Sequence, residues 1–214
     1  MKFSKAFLTL TLIAMCTGLI LGNGQEKKAT EKPSSKPAAA KPAMDEKAAM
    51  EMMQQLATPS EGHQKLDMLV GIWHAKNTMW MQPGKPPVVS EGTSDHKWVL
   101  GGRFLEQRFE GTFMNMPFSG IGYTGYDNYK KKYVAVWMDT AGTSMMNSIG
   151  SFDPSGKVLT SIAKMDDFTT GKAMTVREKV TCLSKDEFLM EMFGPGPDGK
   201  EYRMMEIRYT RSGQ

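Results

Sequence analysis

The side chains able to do chemistry in this chain are few and scattered. His63, His74 and His96 are its three histidines, and Cys16 and Cys182 its two cysteines, in 214 residues. There is no G-x-S-x-G, no H-E-x-x-H, no paired-cysteine motif and no glycine loop opening a helix. Nucleophile-elbow hydrolysis, zincin chemistry and phosphate cradling therefore lack their usual parts. Carboxylates remain. Asp139 follows Trp137 by two residues and shares its face of an extended strand. Glu178 is the single charged residue on an apolar face made by Met174, Val176, Val180 and Cys182, where desolvation would raise its pKa. Asp139 and Glu178 are thus the candidates for acid–base catalysis, but a structural Glu178 paired with an inward arginine such as Arg108 is the simpler reading. No residue is assigned a catalytic role.

The histidines sort by strand period. In LVGIWHAKNTMW (69–80), if Trp73 points inward, Ala75, Asn77 and Met79 follow it, while Ile72, His74, Lys76 and Thr78 point outward. His74 is then a surface residue. His96, beside Trp98, is the better placed to act as an axial haem ligand. A lone strand histidine is more often a hydrogen-bonded structural residue, so no cofactor is expected. Twenty methionines raise the question of soft-metal binding. Met145-Met146 and Met204-Met205 are strand neighbours that should point to opposite faces and so cannot chelate together. Methionine is expected here as adaptable apolar lining, with no metal site.

These residues need a frame to hold them. From Leu69 onward short apolar or aromatic runs alternate with turn chemistry: Gln82 to Pro87, Leu100 to Gly102, Asn115 to Pro117, Asp127-Asn128, Ala141-Gly142, Asp153 to Gly156, Asp166 to Gly171, Ser184 to Asp186 and Gly194 to Gly199. Nine turns delimit ten strands. No run between them has helical period, which excludes parallel βαβ units. Near the C-terminus Met205, Ile207 and Tyr209 face one way and Glu206 and Arg208 the other. A long meander with one dry face either stacks or closes on itself, and closure removes the two exposed edges. The expected fold is all-β: an up-and-down antiparallel β-barrel of about ten strands over 61–214.

Gly71-Ile72-Trp73 at the start of the first strand resembles the G-x-W opening of lipocalin-like barrels, whose Trp plugs one barrel end. With VLGGRFLEQRFEG (99–111), GIGYTGYDN (120–128), VWMDTAGTSMMNSIGSFD (136–153) and MMEIRYTR (204–211), it resembles the bacterial family called domain of unknown function 1579. That resemblance implies a lipocalin-like barrel in exported bacterial proteins. It hands over no activity.

The first sixty residues differ in composition. Lys2 and Lys5 precede an apolar run from Ala6 to Leu21 and small residues to Gly24, which reads as a signal peptide over 1–24. Cys16 would accept lipid in a lipoprotein, but Met15 stands where such signals place a small residue, and apolar residues continue past the cysteine. Residues 25–43, rich in Lys, Pro and Ala, cannot bury enough apolar surface to order themselves and read as a disordered tether. Met50, Met53 and Leu56 recur at near-helical spacing within 44–60, an amphipathic helix. The protein is expected to be exported, periplasmic or extracellular, touching membrane only through its leader or a lipid on Cys16.

Residues 1–60 carry 8 of the 27 basic and 5 of the 23 acidic side chains, which leaves 61–214 near neutrality at 19 against 18. No basic stripe remains to track phosphates, so nucleic acid is not an expected partner. The expected role is binding a small apolar or amphiphilic molecule in the lumen. Trp73, Met79, Phe109, Trp137, Met174, Met205 and Tyr209 would form the wall, and Asn77, Gln107, Asp139 and Glu178 its polar points. The competing readings are an enzyme using Asp139 and Glu178, and an envelope interaction module whose barrel is filled.

Overall fold

A computed structural model describes residues 45–167 and 170–213. The expected leader, tether and Cys16 lie outside them. The chain enters through α1 (Glu46–Ala57), a short α2 (Glu61–Gln64) and one 3-10 turn (Asp67–Leu69). Ten strands follow: β1 (Gly71–Met79), β2 (Val88–Val99), β3 (Phe104–Phe113), β4 (Met116–Asp127) and β5 (Lys132–Asp139), then β6 (Met146–Phe152), β7 (Val158–Asp167), β8 (Lys172–Ser184), β9 (Glu187–Pro195) and β10 (Glu201–Arg211). Each pairs antiparallel with its sequence neighbours, and β1 pairs with β10, so the sheet is a closed barrel. Closure leaves no strand edge unpaired, which is why a meander of this length need not stack into two layers.

Alternation sets the two faces. In β7, Leu159, Ser161 and Ala163 are buried while Thr160, Ile162 and Lys164 are exposed. The outer face is held by ion pairs such as Arg177–Glu201 and Arg108–Glu106. Arg108 is therefore not an inward partner for Glu178, because its strand register with Asp95 and Ile121 puts it on the outside. Between β3 and β4, Met114 and Asn115 both have positive φ, at 50° and 61°, in a two-residue hairpin. The turn thus lies one residue earlier than the proline suggested, and Pro117 stands within β4 opposite Thr112. Mirror-image turn geometry matches strand twist better than a proline-led turn would.

One barrel end is closed by the segment before β1. Trp73 and Leu66 have no exposed surface, and Trp73 Nε1 donates to the Leu69 carbonyl at 2.9 Å. The indole meets Phe188 edge-on at 4.8 Å, and the Arg211 guanidinium covers it at 4.1 Å. Arg211 also donates to the Val70 carbonyl at 2.9 Å, tying the end of β10 to the plug. Burying an indole of 150–250 Å² contributes roughly 4–6 kcal/mol at about 25 cal/mol per Å². Asn128, between β4 and β5, donates to the Leu56 and Thr58 carbonyls and accepts from Ser60 Oγ, while Tyr133 donates to the Gly62 carbonyl. α1 buries no side chain, and Met50 and Met53 on its apolar stripe stay exposed.

His96 lies within this closed end, its Nε2 at 2.8 Å from Ser94 Oγ. Trp73, Phe188 and Tyr209 surround its ring at 5.9–6.5 Å between centroids. That packing leaves it a core residue rather than an axial ligand. Burial pulls its pKa from 6.5 down to about 4, against smaller opposing effects of Asp95 and the Leu69 carbonyl, and Nδ1 finds no partner within hydrogen-bond geometry. The folded state therefore resists a proton that the unfolded chain accepts. Stability is full above pH 6.5 and should fall by roughly 3 kcal/mol as pH drops toward 4. Thermal melts across this range should show that limb, and His96→Gln should flatten it; an unchanged limb in the variant would assign it elsewhere.

Candidate functional site

The interior holds two buried clusters, one around Trp73 and a smaller one around Val176. In the closed half Trp73, Leu105, Phe109, Phe188 and Tyr209 are buried. Gln107 Nε2 donates to Ser94 Oγ at 3.1 Å and to Tyr209 Oη at 3.3 Å, so its amide is spent on a network beneath the lumen. Burial also pushes the Tyr209 phenol up to about 12. Four of the residues expected to line a binding site, Trp73, Gln107, Phe109 and Tyr209, thus form its floor.

The other seven, Asn77, Met79, Trp137, Asp139, Met174, Glu178 and Met205, share the inward strand face toward the opposite end and remain only partly buried. Inward side chains that water still reaches mark a mouth. One inter-strand row runs Met79, Met205, Met192, Glu178, Ser161. Around Ala163, Val176 and Met192 gather six partly buried methionines: Met146, Met165, Met174, Met190, Met204 and Met205. Met204 and Met205 were expected on opposite faces, but a register shift between Arg203 and Met205 lets both pack on this cluster. Met145 and Met146 do diverge: Met145 is exposed, and Met146 joins the cluster.

Trp137 is kept against the wall. A Cβ on Gly120 would come within 2.2 Å of its ring and one on Gly122 within 2.9 Å, so the indole lies on bare β4 backbone. Any other residue there would push it into the lumen. Its Nε1 donates to Asp139 Oδ2 at 2.8 Å, and Asp139 Oδ1 accepts from the Ala141 amide at 2.9 Å. Both carboxylate oxygens are occupied.

Glu178 is held differently. Its strand neighbours in register are Ser161 and Met192, and the Ser148 hydroxyl hydrogen-bonds to it. Desolvation raises its pKa above the ordinary carboxylate range, against the smaller opposing effect of Ser148. Asn77 Oδ1 is a buried acceptor with no partner. Asp139 and Glu178, on β5 and β8, share no hydrogen bond that would make them an acid–base pair. Among the described residues no three His, Cys, Asp or Glu side chains converge as metal ligands. His74 points outward, 3.4 Å from Glu91. A cleft of about 520 Å³ lies at the closed end, between α2 and the strand ends that carry Tyr126, Tyr133 and Phe152. It is wide-mouthed and holds no strongly desolvated carboxylate, so the lumen is the better candidate site.

Strand count and closure define the protein as a single-chain β-barrel of lipocalin-like architecture. Residues 58–211 match the family described as protein of unknown function DUF1579, and the chain belongs to that family. The crystal structure of Rv2717c from M. tuberculosis is similar at a TM-score of 0.52, with 14% identity over 73% of this chain and 100% of that one. That likeness concerns the fold. A redesigned β-barrel, mFAP1, bound to DFHBI, matches more loosely, with a TM-score of 0.36 and 15% identity over 71% of this chain and 100% of that one. No curated protein matches.

Because the folded state pays to ionise Glu178 and the unfolded state does not, the wild-type protein is penalised once pH exceeds the ordinary carboxylate value. The penalty grows up to the raised pKa and is constant above it. Glu178→Gln, which keeps an acceptor for Ser148, should melt higher than wild type at pH 7.5, and the gap should close by about pH 4. A variant that melts lower at pH 7.5 would show that the charge is compensated.

Proposed function

We propose that this protein is an exported binding barrel that takes one small apolar or amphiphilic molecule in the methionine-lined half of its lumen. The observation that carries the reading is the inward methionine cluster, in which Met146, Met165, Met174, Met190, Met204 and Met205 stay only partly buried around Ala163, Val176 and Met192. A protein selected only for a filled core would not leave polarizable thioethers partly hydrated at one end of it. Methionine is also a lining that re-packs around ligands of irregular shape. Burying ~400 Å² of apolar ligand surface yields roughly 10 kcal/mol gross at about 25 cal/mol per Å². Association costs of about 4–15 kcal/mol leave micromolar affinity or weaker.

Two neutral probes, pyrene and dodecanol, titrated into the protein should change Trp emission with micromolar dissociation constants. Trp137→Phe should remove most of that response, since Trp137 is the indole at the methionine-lined end, Trp73 and Trp98 belong to the closed end, and Trp80 follows β1 on the outside, under Arg203. No saturable binding of either probe would overturn the lumen reading.

Export rests on the basic–apolar–small order of residues 1–24. Mass spectrometry of protein recovered from its native host should find a chain beginning after the apolar run, near Gly24. An intact Met1 would refute processing, and a lipid mass on Cys16 would replace release with anchoring.

A further inference from the structure

The lumen's polar groups are unevenly matched. Glu178 and Asp139 are inward carboxylates, and Asn77 Oδ1 is a buried acceptor left without a donor. Bases are elsewhere. Arg177 and Lys179, which flank Glu178 in sequence, point to the outer face, where Glu201 and Glu191 hold them. Among the described residues the basic side chains that share the inward strand face are Lys172 and Arg211. Lys172 is exposed at the tip of the β7–β8 hairpin, and Arg211 covers Trp73 at the closed end. The methionine-lined end of the lumen therefore offers acceptors and negative charge and supplies few donors of its own.

Resting on the lumen reading, we infer that the ligand is a cationic amphiphile, an alkyl chain ending in an ammonium group that pairs with Glu178 while its tail lies along the methionines. Thioether sulfur is polarizable and tolerates a nearby cation better than an aliphatic wall would. Glu178 lies six residues into β8 from Lys172. That is roughly 20 Å of strand at about 3.3 Å per residue, or ~15 Å of depth at a ~40° strand tilt. The tail of an ammonium held there parts the buried packing of Val176, Ala163 and Met192 to reach Met174 and Met165. Ammonium has three donors, and the Glu178 carboxylate can accept from it. A fatty acid carries the opposite head: its carboxylate would meet Glu178 as a like charge in a desolvated site, with no inward base at that depth to receive it.

The test compares dodecylamine, dodecanol and dodecanoate, each below its micelle concentration, by Trp emission and calorimetry at pH 7.5, on wild type, Glu178→Gln and Asp139→Asn. Expected for wild type is amine tighter than alcohol by about tenfold or more, with dodecanoate weakest. Glu178→Gln should bring the amine down to the alcohol's affinity and leave the alcohol unchanged. Asp139→Asn should change the amine less, because Trp137 and Ala141 already occupy that carboxylate. Loss of amine binding in a variant that still binds dodecanol cannot be ascribed to misfolding. Equal affinities for the three probes, or dodecanoate binding tightest, would overturn the charge inference while leaving the lumen reading intact. Failure of all three to bind would overturn both.

Discussion

Closure of β1 on β10 is the constraint from which the rest follows. The register Trp73–Arg211 through Met79–Met205 joins the ends of the meander and fixes how many strands share the circumference. Ten strands spaced ~4.8 Å apart and tilted ~40° give a barrel about 20 Å across between backbones. Eight strands leave an interior that side chains just fill. Ten leave more space than one inward layer can occupy, so the chain must either import a plug or tolerate a hollow. It imports a plug at one end only: Leu66, Leu69 and the Trp73 indole take up the surplus there, under Arg211.

The two halves of the interior obey different rules as a result. Toward the plug, most polar groups are paired: Gln107 bridges Ser94 and Tyr209, Ser94 serves His96, and Trp73 Nε1 has the Leu69 carbonyl. Aromatic edge-to-face and stacked contacts fill the remaining volume, as between Phe188 and Tyr209 at 4.2 Å. Toward the mouth, bulk is withheld. Gly120 and Gly122 let Trp137 lie flat instead of projecting, flexible methionines stand where branched residues would pack more tightly, and a carboxylate sits where its charge is costly. Local choices that each forgo stability, concentrated in one region of an otherwise consistent structure, are the pattern that function imposes.

The barrel could be read from the sequence because its determinants are local. Each hairpin carries its own turn chemistry, and period two assigns faces within a strand, which is how Ala75, Asn77 and Met79 follow Trp73 inward. What could not be read is where along the barrel axis the aromatic cluster gives way to the methionine cluster. That boundary depends on the inter-strand rows that place Met192 beside Glu178 and Met205 beside Met79, and register across strands is not written in any one of them. Gln107 and Tyr209 looked like lumen contacts for this reason and turned out to satisfy each other. Met204 was mis-assigned because a bulge breaks the alternation on which its face was inferred. Met165 and Met146, at strand ends beside expected turns, carried no signal that they would meet. Arg108 was offered as an inward partner for Glu178 by charge alone, and its strand period already placed it on the face of Glu106 and Glu110.

Charge partition between the two faces follows from the same periodicity and bears on what the lumen can hold. On the outside, acids and bases alternate across strands and neutralise one another: Glu191 with Lys179 and Arg203, Glu106 with Arg108 and Lys97, Glu187 with Arg208. Glu106 and Glu191 are themselves buried beneath their basic partners, whereas the more exposed Glu187–Arg208 pair contributes little. A one-residue slip in any strand would turn its outer acids and bases into the lumen and its methionines into water. The register shifts at Arg203/Met205 and Cys182/Ser184 make specific sliding positions costly on either side of β9. The bases on the inward face, Lys172 and Arg211, stand at its two ends, so Glu178 keeps no base at its own depth, and a charge not neutralised from within can be neutralised by what enters.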